Sequence, residues 1–124
     1  MDGSIQIPFE SRAGGLIIRF NNRDLLERMV PTFEAIAKLI QSHQARAALI
    51  DFRGIPGDTT FMEKYHLGET AARCLPRIAL AVLALDSQLD PGRIGALAAA
   101  NRGTPIELFT DPAAAESWFE KNAR

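Results

Sequence analysis

Three consecutive residues, Asp58-Thr59-Thr60, carry the clearest chemical signal in this sequence. They stand just before an apolar-periodic stretch that begins at Phe61 and reads as a helix. A hydroxyl at such a junction is a candidate phosphoacceptor: a phosphate there meets free backbone N–H groups and the positive end of the helix dipole. The same residues have a structural use. Thr60-Phe61-Met62-Glu63 has the spacing of a capping box, in which Thr60 caps the helix and Glu63 reaches back to it. Both readings stay open at this point.

A second group is polar. Arg53, Asp58, Asp86, Ser87, Thr110 and Asp111 each follow an apolar run. In an open α/β sheet such positions converge at the carboxyl edge of the strands, where ligands usually bind. Acids gathered there could hold a hard divalent cation and support metal-assisted catalysis. A receiver-type phosphoacceptor site, however, needs an acidic pair after the first strand and a Lys after the last, and this chain has neither. Asp111 precedes Pro112, the pattern of a helix cap. No metal or cofactor is expected, and an enzyme is the least favoured class.

A third group is apolar. Met29, Phe33, Phe61, Met62 and Tyr65 are flexible or flat side chains that could line a pocket for a small apolar, lipid-like ligand. Ordinary core packing uses the same residue types. Without a Cys or carboxylate cluster at ligand spacing, neither His43 nor His66 predicts a zinc site. There is no Gly-x-Ser-x-Gly elbow, and the single cysteine, Cys74, reads as a small buried hydrophobe.

The elements that must position these groups follow from periodicity. Ile5-Gln6-Ile7-Pro8-Phe9 alternates at period two and predicts an edge strand, since Pro cannot donate to a ladder. Gly14-Gly15 predicts the turn into a second strand, Leu16–Phe20, completing an antiparallel hairpin. Asn21 or Asn22 then caps a helix carrying Leu25, Leu26, Met29, Phe33, Ile36, Ala37 and Ile40, with Pro31 predicting a kink or a fresh start. Ala47–Phe52 is nearly all apolar, as a strand covered on both faces should be. A helix with Phe61, Tyr65, Gly68, Ala72 and Leu75 on one side follows, then a strand in Ile78–Leu85. Asp90-Pro91 opens a helix closed by Gly103. Ile106–Phe109 is a further strand, and Asp111-Pro112 opens a last helix anchored by Trp118 and Phe119. The order β-β-α-β-α-β-α-β-α predicts an α/β fold with a mixed sheet of about five strands, an N-terminal hairpin and then parallel strands covered by helices.

Composition narrows the class. A chain of 124 residues fits one domain spanning 1–124. Fourteen basic and fifteen acidic residues give a net charge of -1 with no basic run, which argues against nucleic acid as a partner. The longest apolar stretch, Ile78–Leu85, is far short of the roughly 20 residues a membrane-spanning helix needs. Met1-Asp2-Gly3 lacks the basic start and apolar core of a secretion signal, so a cytoplasmic location is expected.

Several stretches together resemble the STAS domains related to the anti-sigma-factor antagonist, in particular the SpoIIAA-like group. They are Asp24-Leu25-Leu26 with Pro31, Ala48-Leu49-Ile50-Asp51-Phe52-Arg53-Gly54, Asp58-Thr59-Thr60, Ala99-Ala100-Asn101-Arg102-Gly103, and Ile106–Asp111 with Ala115–Phe119. That resemblance implies a non-enzymatic regulatory or binding module acting through protein partners. Those regulators carry an Asp-Ser pair after the central strand, and phosphorylation of its Ser controls partner binding. Thr59 occupies the corresponding place here, with Thr for Ser and without the Gly that usually follows. A carrier or sensor of a small apolar ligand is the alternative the resemblance also implies, and the edge strand leaves room for a homodimer.

Overall fold

The computed structural model describes residues 5–55, 60–85 and 106–124, the side chains of Phe61 and Lys64 excepted. The elements are β1 (Phe9–Arg12), β2 (Gly15–Arg19), α1 (Arg23–Glu27), α2 (Met29–His43), β3 (Ala47–Asp51), α3 (Phe61–Cys74), β4 (Ala79–Leu83), β5 (Glu107–Phe109) and α4 (Pro112–Ala123). They build one five-stranded mixed sheet in the order β1-β2-β3-β4-β5. The β1/β2 pair is antiparallel, and β2/β3, β3/β4 and β4/β5 are parallel. This is the α/β architecture the residue pattern predicts. The segment read as a helix from Asp90-Pro91 to Gly103 lies outside the described residues.

Strand alternation divides the core into two layers. Leu16, Ile18 and Phe20 of β2 and its exit, Ala48, Ile50 and Phe52, and Leu80, Val82 and Ala84 face α1, α2 and α3. Ile17, Ala47, Leu49, Ala81 and Leu83 face α4 through Ala115, Phe119 and Ala123. All five residues of β3 are buried, because helices cover both its faces. Phe20 is the hub of the first layer, with ring centroids 4.6 Å from Phe52 and 6.1 Å from Phe33. Each such fully buried side chain contributes roughly 1.5–3 kcal/mol of transfer free energy.

Two local expectations are corrected. The first strand is Phe9–Arg12, not Ile5–Phe9, and the turn is Ala13-Gly14, not Gly14-Gly15. Ala13 and Gly14 both have positive φ, 53° and 89°, the mark of a two-residue hairpin turn matched to strand twist. That turn pairs Arg12 with Gly15 and so fixes the register back to Phe9. Ile5 and Ile7 still pack against the first core layer, which is what their alternation reported. Gly15 belongs to β2, and glycine is needed there: a Cβ would come within 2.7 Å of the Phe119 ring.

The second correction concerns α3. Its inward side is Gly68, Ala71 and Leu75, flanked by Leu67 and Cys74, while Tyr65 lies on the outer side. Pro31 acts as anticipated. The helix breaks at Arg28 (φ -100°, ψ 59°), and Pro31 falls in the first turn of α2, where its missing N–H costs little. No helix among the described residues is long and apolar enough to cross a membrane.

Candidate functional site

Asp51 ends β3 on the α4 side of the sheet, in register with Arg19 of β2 and Leu83 of β4. Two residues on, the chain turns and Arg53 folds back onto it. The Arg53 backbone N–H and Nε donate to Oδ1 at 3.0 and 3.1 Å, and Nη2 donates to Oδ2 at 3.0 Å. The two-pronged contact uses the fixed geometry of the guanidinium. Burial pushes the Asp51 carboxyl up, but the side-chain and backbone bonds from Arg53, with the charges of Arg53 and Arg19, outweigh it. The carboxyl ends below its ordinary value. Asp51 thus raises the Arg53 guanidinium in turn. A carboxylate held this way is a poor general base and a poor cation ligand, because both oxygens already carry donors.

The clamp shapes the turn that follows. Gly54 sits so close to the β2–α1 connection that a Cβ would be 2.9 Å from the Phe20 carbonyl oxygen. Ile55 is buried and donates its N–H to the Phe52 carbonyl at 3.1 Å. The carboxyl ends of β2 and β3 are therefore stitched together.

At the start of α3, the capping box is formed. Thr60 Oγ1 accepts from the Glu63 N–H at 3.1 Å, and Glu63 Oε1 accepts from the Thr60 N–H at 2.9 Å. Glu63 Oε2 also accepts from Nη2 of Arg23 at 2.6 Å. Arg23 opens α1, and its helix is capped by Asn22, whose Oδ1 accepts from the Leu25 N–H at 3.2 Å. One carboxylate therefore ties the first turn of α3 to the first turn of α1.

Beyond the cap, α3 presents Met62, Tyr65, His66, Glu69 and Arg73 on its outer side. Met62 is 55% exposed and Tyr65 39%. The Tyr65 and His66 rings meet edge-on at 5.9 Å, and His66 Nδ1 lies 3.9 Å from Glu69 Oε1.

A separate charged group lies by the hairpin on the α4 face. Arg12 contacts Glu10 and Glu116, each at 2.7 Å, and Arg19 reaches Glu10 at 3.4 Å. The hydrogen bond from Arg12 leads in holding Glu10 below its ordinary value, and the bonds to Glu116 and Glu10 raise Arg12. These charges are satisfied by one another.

Of the residues singled out in the sequence, Arg53 is committed to Asp51, and Thr60 to its cap. Asp111 caps α4, its Oδ1 accepting from the Ala113 N–H at 3.1 Å. Phe33 is part of the core, Met29 packs half-buried against it, and Met62 and Tyr65 face outward. Asp58, Thr59, Asp86 and Ser87, and the side chain of Phe61, lie outside the described residues. Among the described residues no three His, Cys, Asp or Glu side chains stand together as a metal site. Sequence reading missed Asp51 and Arg23 as organising residues. The Asp-x-Arg spacing at the end of a buried strand was the available signal for the first; nothing local announced the second. Comparisons with protein-family models, with curated proteins and with solved structures gave no match.

Proposed function

We propose that this chain is a non-enzymatic, STAS-like regulatory or binding module that acts through a protein partner. Its contact surface is the outer side of α3 with the loop before it, and phosphorylation at Thr59 or Thr60 regulates the contact. The observation that carries this reading is the pair Met62 and Tyr65, two large apolar side chains left exposed one turn apart, directly after the capped start of a helix. Methionine and aromatic side chains are enriched where proteins bind one another, and aromatics lead among the residues that dominate binding energy. The mixed sheet with its leading hairpin agrees with the resemblance seen in the sequence. The tight Asp51–Arg53 clamp favours a scaffold over a reacting centre.

The test is affinity capture from the host's own lysate on immobilised chain, comparing the unaltered protein with Met62→Asp/Tyr65→Asp. Proteins retained by the first and lost with the second, at equal circular-dichroism melting, support the proposal. An identical retained set on both sinks it. Phosphopeptide mapping of the chain from the same host reports whether Thr59 or Thr60 carries phosphate.

A further inference from the structure

Among the described residues, β1 is an edge strand of the sheet. The Arg19 N–H donates to the Pro8 carbonyl at 2.9 Å, and the two-residue turn makes Arg12 and Gly15 a bonded pair. Hydrogen-bonded pairs alternate along an antiparallel ladder, so Glu10 and Ile17 form the bonded pair between them. The N–H and C=O groups of Phe9 and Ser11 therefore point away from β2. Among the described residues β1 has β2 as its one neighbour in the sheet. Ser11 is exposed and Phe9 is 43% exposed. Such a row of unsatisfied backbone groups is a template for another strand.

We propose that two copies of this chain pair antiparallel through β1, with Ser11 opposite Ser11 on the two-fold axis. The charges choose both the partner and the register. Glu10 and Arg12 lie two residues apart on the same face of the strand, with Ser11 between them. Centring the pair on Ser11 sets Glu10 of each copy across from Arg12 of the other, giving two opposite-charge cross-strand pairs. Centring on Glu10 would oppose two carboxylates, and centring on Arg12 would oppose two guanidinium groups. Centring on Phe9 would set Glu10 across from Pro8 and form no charge pair. In the Ser11 register the two Ser11 residues exchange reciprocal N–H···O=C bonds, and the two sheets join into one. A four-residue strand buries far less than the roughly 1,200–2,000 Å² of a stable interface, so the dimer is weak and concentration-dependent.

Sedimentation equilibrium of the full chain over a wide concentration range tests this, with Ser11→Pro, Glu10→Arg, Arg12→Glu and the double exchange E10R/R12E. Ser11→Pro removes a donor that the β1/β2 ladder does not use. It should weaken association by about tenfold or more, the equivalent of two lost hydrogen bonds. Each single charge reversal should shift the protein to monomer, and E10R/R12E, although it opposes Glu116 and Arg19 inside each copy, should associate more tightly than either single reversal, while circular-dichroism melting stays cooperative for all. A wild-type chain that is monomeric throughout overturns the proposal. So does a dimer that Ser11→Pro leaves unchanged, or a double exchange as dissociated as the single reversals.

Discussion

Replacing Arg53 by Met keeps the length of the side chain and removes the guanidinium that holds Asp51. The Asp51 carboxylate, with its side chain only 12% exposed, then keeps the Arg53 backbone N–H but loses two charge-assisted bonds. Hydrogen bonds to charged groups contribute about 1.5–3 kcal/mol each when sheltered, but Arg53 is itself 39% exposed and water can replace part of the contact. We expect a net loss of about 1–2 kcal/mol at neutral pH, or about 3–6 °C in Tm for a domain of this size. The pH dependence is the sharper signature. In the wild type the carboxyl is depressed, so its stabilising contribution is present above the unfolded value and fades as pH falls through the folded one. In Arg53→Met the bonds and charge of the guanidinium are gone while the Arg53 N–H and the Arg19 charge remain, so the carboxyl is less depressed than in the wild type and its contribution fades less as pH falls. The stability gap between the two proteins therefore closes as pH falls through the ordinary Asp range. Urea unfolding followed by circular dichroism, from neutral pH to about pH 3, measures it. A gap that is independent of pH, or absent at neutral pH, refutes the argument.

Three further changes read individual features of the fold. Gln44 ends α2 with φ at 51°, its N–H on the Gln41 carbonyl and the Ala45 N–H on the Ile40 carbonyl, so Gln44→Gly should stabilise by about 0.5–1 kcal/mol in denaturant unfolding. Gly15→Ala should destabilise by about 1–3 kcal/mol, because the new Cβ meets the Phe119 ring and lies 2.8 Å from the Ala47 carbonyl oxygen. Phe119→Leu in the same chain should relieve the first clash and not the second, which a double-mutant cycle resolves. Thr60→Ala should cost about 1 kcal/mol and speed amide exchange in the first turn of α3, since the Glu63 N–H loses its acceptor.

How far the fold was legible depended on whether its cause was local. Ala47–Asp51 declares itself because a strand covered on both faces has to be apolar throughout. Asn22, Thr60 and Asp111 declare three helix starts, because a cap is satisfied within three residues of itself. The first strand was misplaced because its apolar alternation and its ladder have different causes. Ile5 and Ile7 alternate to meet the core, whereas pairing is dictated by the φ values of Ala13 and Gly14. Alanine at positive φ is rarely written into a turn motif, so Gly14-Gly15 drew the attention instead. Gly15 is glycine for a reason more than a hundred residues away, the ring of Phe119. Tyr65 shows the same limit on a helix face. It lies three residues before the buried Gly68, yet the centre of the buried stripe runs closer to Ala71, and a small rotation puts Tyr65 outside. Arg23 was invisible as a site residue because its partner, Glu63, comes from another helix.

The cap at Thr60 and a regulatory role for the same loop are compatible, and the reason lies in Glu63. Its carboxylate holds both the Thr60 N–H and the Arg23 guanidinium, so it tolerates no added negative charge beside it without rearranging. A phosphoryl group on Thr60 would carry about -1.5 to -2 charges at pH 7 and three acceptor oxygens. Those oxygens can take over the Glu63 N–H and gain from the positive end of α3. The Glu63 side chain would then be repelled from the position it holds, and its tie to α1 would change with it. Met62 lies in that same first turn of α3, between Thr60 and Glu63. A modification at the cap therefore acts where the proposed contact surface begins, and it needs no movement of the sheet to be felt there.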